Sequence, residues 1–535
     1  ELDSASSSDP SVIRFKGVFT SGGIFPEFQE ELVIMPDNSL GFDHKLPYVG
    51  FKTYNGTGTV YNQITMDKNG LRSNGKVDFL TSTLFSDDFV YYIDSVTTDG
   101  ESAEIKPKTA DGVSYPMATI SDYRMLWFPK SDSMFITSKE DPFQMYDNTA
   151  TLAGTSLITT SGFFGDGILS TRGSESISKN FNMKETQIGA EDAYFEIKSS
   201  DPEKPSLAAR GVAVDFDLET NLAGIKSELE GSSVLDFPFT QVRTSIAEAS
   251  WDLDQRIISM SKPENVDIDQ SYFYTTKPEM DSLVFNATDA VYDIDKLEMQ
   301  ISGVPYMKVA DAEIIPDSNQ VFIRENAEIE TFKFAQITLD TLDRYHNLYN
   351  GKISVTARHA FDGEAVYQYV NASQDTFEIN FQNFLLVRDK KLKGNQIFSV
   401  ATGEISEDDR IYIMPGTLYK GDVTLYANRR ILQMNGFIKL DLKSIPDNDS
   451  WLAHSSDSEV QDLAINVSEA VSETGQPLTS GINIDPNTGE LYGTFISEKR
   501  STGDHEVFNA RGLFSYDSVN SEYKVIDPNK IKGNS

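Results

Sequence analysis

Asp422-Val423-Thr424-Leu425-Tyr426-Ala427 alternates polar and apolar side chains with a period of two. At that spacing successive side chains of an extended chain point to opposite faces, so one face is buried and the other wet. Lys352-Ile353-Ser354-Val355-Thr356-Ala357 places its apolar residues at 353, 355 and 357, and Gly436 to Leu442 does the same through Ile438, Leu440 and Leu442. Ile353, Val355, Val423, Leu425, Ile438 and Leu440 are therefore expected to face a core, with Ser354, Thr424 and Lys439 facing outward. Turn signals stand between such runs: Pro36-Asp37-Asn38-Ser39, Asp67-Lys68-Asn69-Gly70, Pro316-Asp317-Ser318-Asn319 and Asp485-Pro486-Asn487-Thr488-Gly489. Asp and Asn tolerate left-handed backbone angles and Gly takes them freely, which lets a strand reverse tightly. Long amphipathic helical patterns are nearly absent; Val460 to Val471 is the best helical candidate, and it is short. The class is all-β.

The chain also repeats itself. Slid 92 positions along itself, it brings Phe51 onto Phe143, Tyr54 onto Tyr146, Gly70 onto Gly162, Gly75 onto Gly167, Ser86 onto Ser178 and Phe89 onto Phe181. Downstream, Val309-Ala310 and Glu313-Ile314 recur 91 positions later as Val400-Ala401 and Glu404-Ile405. Self-similarity of this length names a repeat architecture. The expected fold is a tandem series of β-sandwich or β-jellyroll-like units of about 90 residues. A polar lead-in at 1–10 precedes units at 11–108, 109–205, 206–305, 306–398 and 399–535, the last read as truncated at its C-terminal end. The start at Glu1 reads as processed or excised. Gly70 and Gly162 should stand at equivalent turns, with Phe89 and Phe181 both in cores.

A third echo links Phe285-Asn286-Ala287 … Tyr292-Asp293 to Phe508-Asn509-Ala510 … Tyr516-Asp517, with Tyr-Asp where a turn would join two strands. Alanine in the incoming strand, Tyr-Asp at the bend and a strand leading to Gly resemble the repeats of the LptA/OstA-like β-jellyroll family, over Ser282–Ile323 and Phe508–Ile526. The chain is also similar to the large, cysteine-free, Asp/Asn-rich β-proteins of Bacteroidota envelopes. These resemblances imply a periplasmic or outer-membrane-associated β-scaffold, in the LptA case one with a lipid-holding groove. Ser206–Ile225 departs from the pattern by carrying Asp215-Phe216-Asp217 at the bend.

Composition narrows the function classes. With 46 basic and 82 acidic residues, the net charge of −36 repels phosphate backbones and anionic membrane surfaces. The acidity reads as solubility, with calcium binding by Asp-rich turns as the sharper alternative. No cysteine occurs, which removes disulfides, thiolate metal sites and cysteine nucleophiles together. This absence points to a periplasmic, outer-membrane, cell-surface or extracellular bacterial protein, and no apolar run is long enough for a transmembrane helix.

Catalytic motifs are lacking. His44, His346, His359, His454 and His505 form no close pair in sequence; His346 and His359 flank a loop-to-strand junction. Gly162-Phe163-Phe164-Gly165-Asp166-Gly167 has no following lysine and reads as turn or bulge glycines rather than a phosphate loop. Trp127 with Asp132, or Trp251 with Asp252 and Asp254, could line a sugar platform. Each tryptophan, however, is followed seven residues on by an apolar residue, Met134 or Ile258, which favours a core strand. For calcium, the candidates are Asp447 and Asp449 on one turn and Asp485 and Asn487 on another, against plain Asx turns. No catalytic residue is assigned. The expected function is a non-catalytic envelope or cell-surface scaffold in assembly or macromolecular binding, its partner a protein, a glycan or its own copies. A secreted glycan-active or glycan-binding protein, with an acidic pocket walled by aromatics, is the runner-up. An LptA-like lipid or glycolipid conduit is the third reading.

Overall fold

The structure, a computed structural model, describes residues 2–5, 13–227, 235–340, 342–371, 373–388, 397–443, 448–456, 464–517 and 520–527. Among these residues it is all-β, a long antiparallel sheet with short 3-10 turns and no α-helix. Two compact units form: residues 1–273 with 288–299, and residues 274–287 with 300–535.

In the first unit the strands Gly70–Phe79, Ser82–Tyr91 and Val96–Ile105 lie side by side, as do Gly162–Thr171, Ser174–Met183 and Gln187–Ile197. Their bonds correspond at a shift of 92. The Tyr54 hydroxyl donates to the Tyr92 carbonyl at 2.5 Å, with the Ser95 carbonyl at 3.2 Å as second acceptor. The Tyr146 hydroxyl donates to the Lys184 carbonyl at 2.9 Å, with the Gln187 carbonyl at 3.4 Å. Ser86 Oγ donates to the Asp99 carbonyl and Ser178 Oγ to that of Glu191. A β-bulge between Ser73 and Gly75 recurs between Gly165 and Gly167. Gly70 and Gly162 each open a strand directly after its hairpin turn, opposite Asp67 and Thr159. Phe89 and Phe181 are both buried.

The inner face of this unit is filled around Trp127. Phe79 and Trp127 stand on strands three places apart in the sheet, about 14 Å in a flat one. Their ring centroids are only 5.2 Å apart, so the sheet curls over its own apolar face. Tyr54 meets Trp127 edge-on at 5.7 Å. Trp127 pairs directly with Met134, and Trp251 with Ile258, all four buried. The seven-residue spacing is a hairpin with a core tryptophan. Three hairpins of the unit share a further device: Asp217, Asp252 and Asp293 each accept two backbone N–H groups of the turn that follows. The aromatic before the Asp is Phe216, Trp251 or Tyr292, so the bend needs the carboxylate and a core ring rather than tyrosine itself.

In the second unit the alternating runs behave as expected. Ile353, Val355, Val423, Leu425, Ile438 and Leu440 are buried, while Ser354, Thr424 and Lys439 lie on the opposite face, half-exposed. Leu442 lies past the end of its strand, Gln433–Leu440. Lys439 Nζ pairs at 3.0 Å with Asp449, whose side chain is almost wholly in water, so the pair contributes little. Leu425→Ala should cost about 2–5 kcal/mol, whereas Lys439→Ala should stay within about 0.5 kcal/mol. Urea midpoints measure both; equal shifts would contradict the assigned faces.

Two expectations change. Val309-Ala310 tips a tight hairpin with Ala310 at φ 56°, whereas Val400-Ala401 lies inside the nine-residue strand Ile397–Ile405. The first pair of the echo therefore differs in structure, while in the second pair Ile314 and Ile405 are both buried. Within the helical candidate Val460 to Val471, the described part is a strand, Ala464–Asn466, followed by a turn. Asn466 Oδ1 accepts from the Ser468 N–H at 3.2 Å, and this local bond competes with helix continuation.

Candidate binding surface

Among the described residues the metal candidates do not assemble. Asp447 lies outside the described residues. Asp449 is almost wholly in water, 3.0 Å from Lys439 Nζ. Asp485 closes a turn, accepting from the Asn487 N–H and the Thr488 hydroxyl, both at 2.8 Å. The same bonds hold its carboxyl below the usual range, backbone N–H donation first. Among the described residues no three His, Asp or Glu side chains gather as a metal group.

The histidines are dispersed too. His346 and His359 stand at opposite ends of the twelve-residue strand His346–Ala357 and do not meet; His359 is exposed, 3.4 Å from Asp281. His346 is buried, and its Nε2 lies 2.6 Å from the Arg429 carbonyl. A carbonyl only accepts, so Nε2 carries the proton and Nδ1 accepts from the Tyr367 hydroxyl at 3.4 Å. Burial lowers its pKa below the ordinary 6.5, partly offset by the Arg429 and Tyr426 carbonyls and the charge of Asp340. The unfolded chain then binds the extra proton more readily than the folded one. His346 thus contributes its full stability above 6.5 and loses it as pH falls below that value. The urea midpoint of the protein should decline from pH 6.5 to about 5, with a smaller slope in His346→Gln. An unchanged slope would contradict this assignment.

Trp127 and Trp251 are core residues, which removes both as sugar platforms. An open surface lies instead on the outer face of the first unit. Phe135, Leu157, Phe164, Asn182, Gly189 and Asp215 stand in unbroken cross-strand register over six strands. Together they line a trough of about 670 Å³. A single register row is enough to gather them, because side chains opposite each other in a sheet share a face. Phe135, Leu157 and Phe164 form an apolar wall and are only half-buried. Gly189 leaves the floor open between Asn182 and Asp215; a Cβ there would lie 3.2 Å from Asp215 Oδ1. Asp166, Lys179, Asn180 and Glu191 also line it, all exposed. Among the described residues, the side chains of Lys179, Asn180, Asn182, Glu191 and Asp215 make no hydrogen bond or ion pair.

Five positions of the register row recur 92 residues earlier as Asp43, Thr65, Arg72, Val90 and Thr97, while on the sixth strand Thr97 pairs with Leu126 and not with the offset position Tyr123. There the polar groups satisfy one another. Thr65 Oγ1 and Gln63 Nε2 donate to Asp43 Oδ1 at 2.7 and 2.8 Å, and Arg72 pairs with Asp67 at 2.6 Å and Asp88 at 3.3 Å. Asp43, Thr65 and Arg72 become Phe135, Leu157 and Phe164, and Asp88 becomes Asn180 without a partner. None of this row was singled out by sequence reasoning, which read Gly162 to Gly167 for its glycines alone. The signal available was substitution at fixed offset: charged residues replaced by aromatic ones on an outward-facing register.

No protein-family model matches the chain, and no curated protein or solved structure is significantly similar to it. No helix among the described residues is long and apolar enough to cross a membrane.

Proposed function

We propose that this chain is a non-catalytic β-scaffold of a bacterial envelope or cell surface, built from copied β-units, that works by binding a macromolecular partner on an outer sheet face. One observation carries the reading. The bonds kept at a shift of 92 belong to turns, bulges and core, whereas one outward-facing row changes from mutually paired polar groups to an apolar wall beside unpaired polar ones. Repetition that preserves structure and varies a surface is the behaviour of a scaffold that displays binding faces. The rings packed around Trp127 on the inner face of the first unit argue against a lipid conduit at that level. The envelope placement rests on the absence of cysteine and on the Tyr-Asp bends of Ser282–Ile323 and Phe508–Ile526, whose sequence pattern resembles LptA/OstA-like repeats.

The trough does fit one forecast of the runner-up, since it joins aromatic and acidic groups in a single unit. A glycan hydrolase, however, needs one carboxyl that holds its proton near neutral pH, which burial or a close like charge provides. Asp166, Glu191 and Asp215 are all exposed. Binding is therefore the better reading than turnover. Purified protein incubated with a panel of bacterial and plant glycans should release no reducing sugar. Release that is lost on one Asp or Glu substitution, with the melting temperature unchanged, would overturn the proposal.

A further inference from the structure

The trough's chemistry narrows its occupant. Every strand beneath the wall is paired on both sides: Gly162–Thr171 lies between Ala150–Thr159 and Ser174–Met183, and Ser174–Met183 in turn against Gln187–Ile197. No backbone edge is free there for an added peptide strand. The floor and far side carry amide and carboxylate groups, so a purely apolar guest would strand their hydrogen-bonding capacity. The three carboxylates of Asp166, Glu191 and Asp215 face the single cation of Lys179, which disfavours phosphates, uronates and other anions. What remains is a guest with one apolar face and an edge rich in hydroxyl or amino donors. A pyranose ring has that form: its C–H face lies against an aromatic ring while adjacent hydroxyls donate to carboxylate and amide oxygens. The volume, about 670 Å³, suits a guest larger than one sugar ring.

Resting on the scaffold reading above, we propose that this trough binds an oligosaccharide of neutral or amino hexoses. Phe164, flanked by Phe135 and Leu157, is its stacking platform, and Asn182 and Asp215 receive its donors. The equivalent face of the preceding copy is closed to such a guest, because Arg72, Asp67 and Asp88 are already paired with one another.

Calorimetric titration of the full chain tests this, with the tetramer of N-acetylglucosamine, cellotetraose and an oligogalacturonate of equal length as probes. At least one of the first two should bind saturably, and the oligogalacturonate should not. Phe164→Ala should weaken that binding by about tenfold or more, and Asp215→Asn should weaken it without moving the melting temperature. Asp215 is exposed, so its variant decides the matter if Phe164→Ala proves unstable. Failure of both tetramers to bind, binding indifferent to both variants, or equal binding of the oligogalacturonate overturns the proposal. So does a lysine-rich peptide that saturates the trough where the sugars do not. Sugar release from a bound tetramer, abolished by an acidic-residue variant, would instead sink the non-catalytic reading and leave the site standing.

Discussion

Trp127→Ala should lower the stability of the first unit by about 3–5 kcal/mol. The indole is fully buried between Phe79 at 5.2 Å and Tyr54 at 5.7 Å, and Met134 lies directly across the hairpin. Its ring also lies against bare backbone, since a Cβ on Gly58 would come within 2.4 Å of the indole. Truncation leaves a void that the strands cannot close, because each is held in register by neighbours on both sides. Trp127→Phe should cost much less. The indole Nε1 has no acceptor among the described residues, so its loss forfeits volume but no hydrogen bond. Urea unfolding of the two variants checks the order; equal losses would mean that the indole N–H, not the packing, is what the site needs.

Gly167→Val should cost on the order of 3 kcal/mol or more. Gly167 has φ 128°, which side-chain-bearing residues rarely adopt, and a Cβ would stand 2.3 Å from the Ala153 carbonyl oxygen. Opposite it in the ladder is Gly154, so two strands approach there with no side chain between them. The bulge that ends at Gly167 also sets the register of the next strand, and with it which face Lys179, Asn180 and Phe181 occupy. Loss should therefore appear as lower stability together with exchange of amides in Ser174–Met183. A variant with wild-type stability would show that the close approach is not required.

The strand faces could be read from the chain because each run has one wet side and one dry side, as at Val423 and Leu425. Turns could be read because Asp at 37, 67 and 293 has a local task, accepting the N–H group two residues on. The same locality makes Asp485 a turn closer. The trough follows a different rule. Its six row residues span Phe135 to Asp215 and meet only through the pairing of six strands, including the one-residue shift at the Gly165/Gly167 bulge. No local pattern announces such a row. The segment after Val460 misled for a related reason: apolar spacing looked helical, but Asn466 turned the chain locally.

In the proposed scaffold reading, the stretches around Tyr54–Ile105 and Tyr146–Ile197 are copies of one unit that differ on their outer face. Urea midpoints of three matched pairs of variants test it most directly: Tyr54→Phe with Tyr146→Phe, Ser86→Ala with Ser178→Ala, and Phe89→Ala with Phe181→Ala. Each hydroxyl removed leaves a carbonyl acceptor short of a donor, for about 1–3 kcal/mol, and each phenylalanine leaves a cavity, for about 3–5 kcal/mol. If the stretches are copies, the losses rank in the same order in both and agree within each pair. Losses unrelated between the paired positions would contradict it.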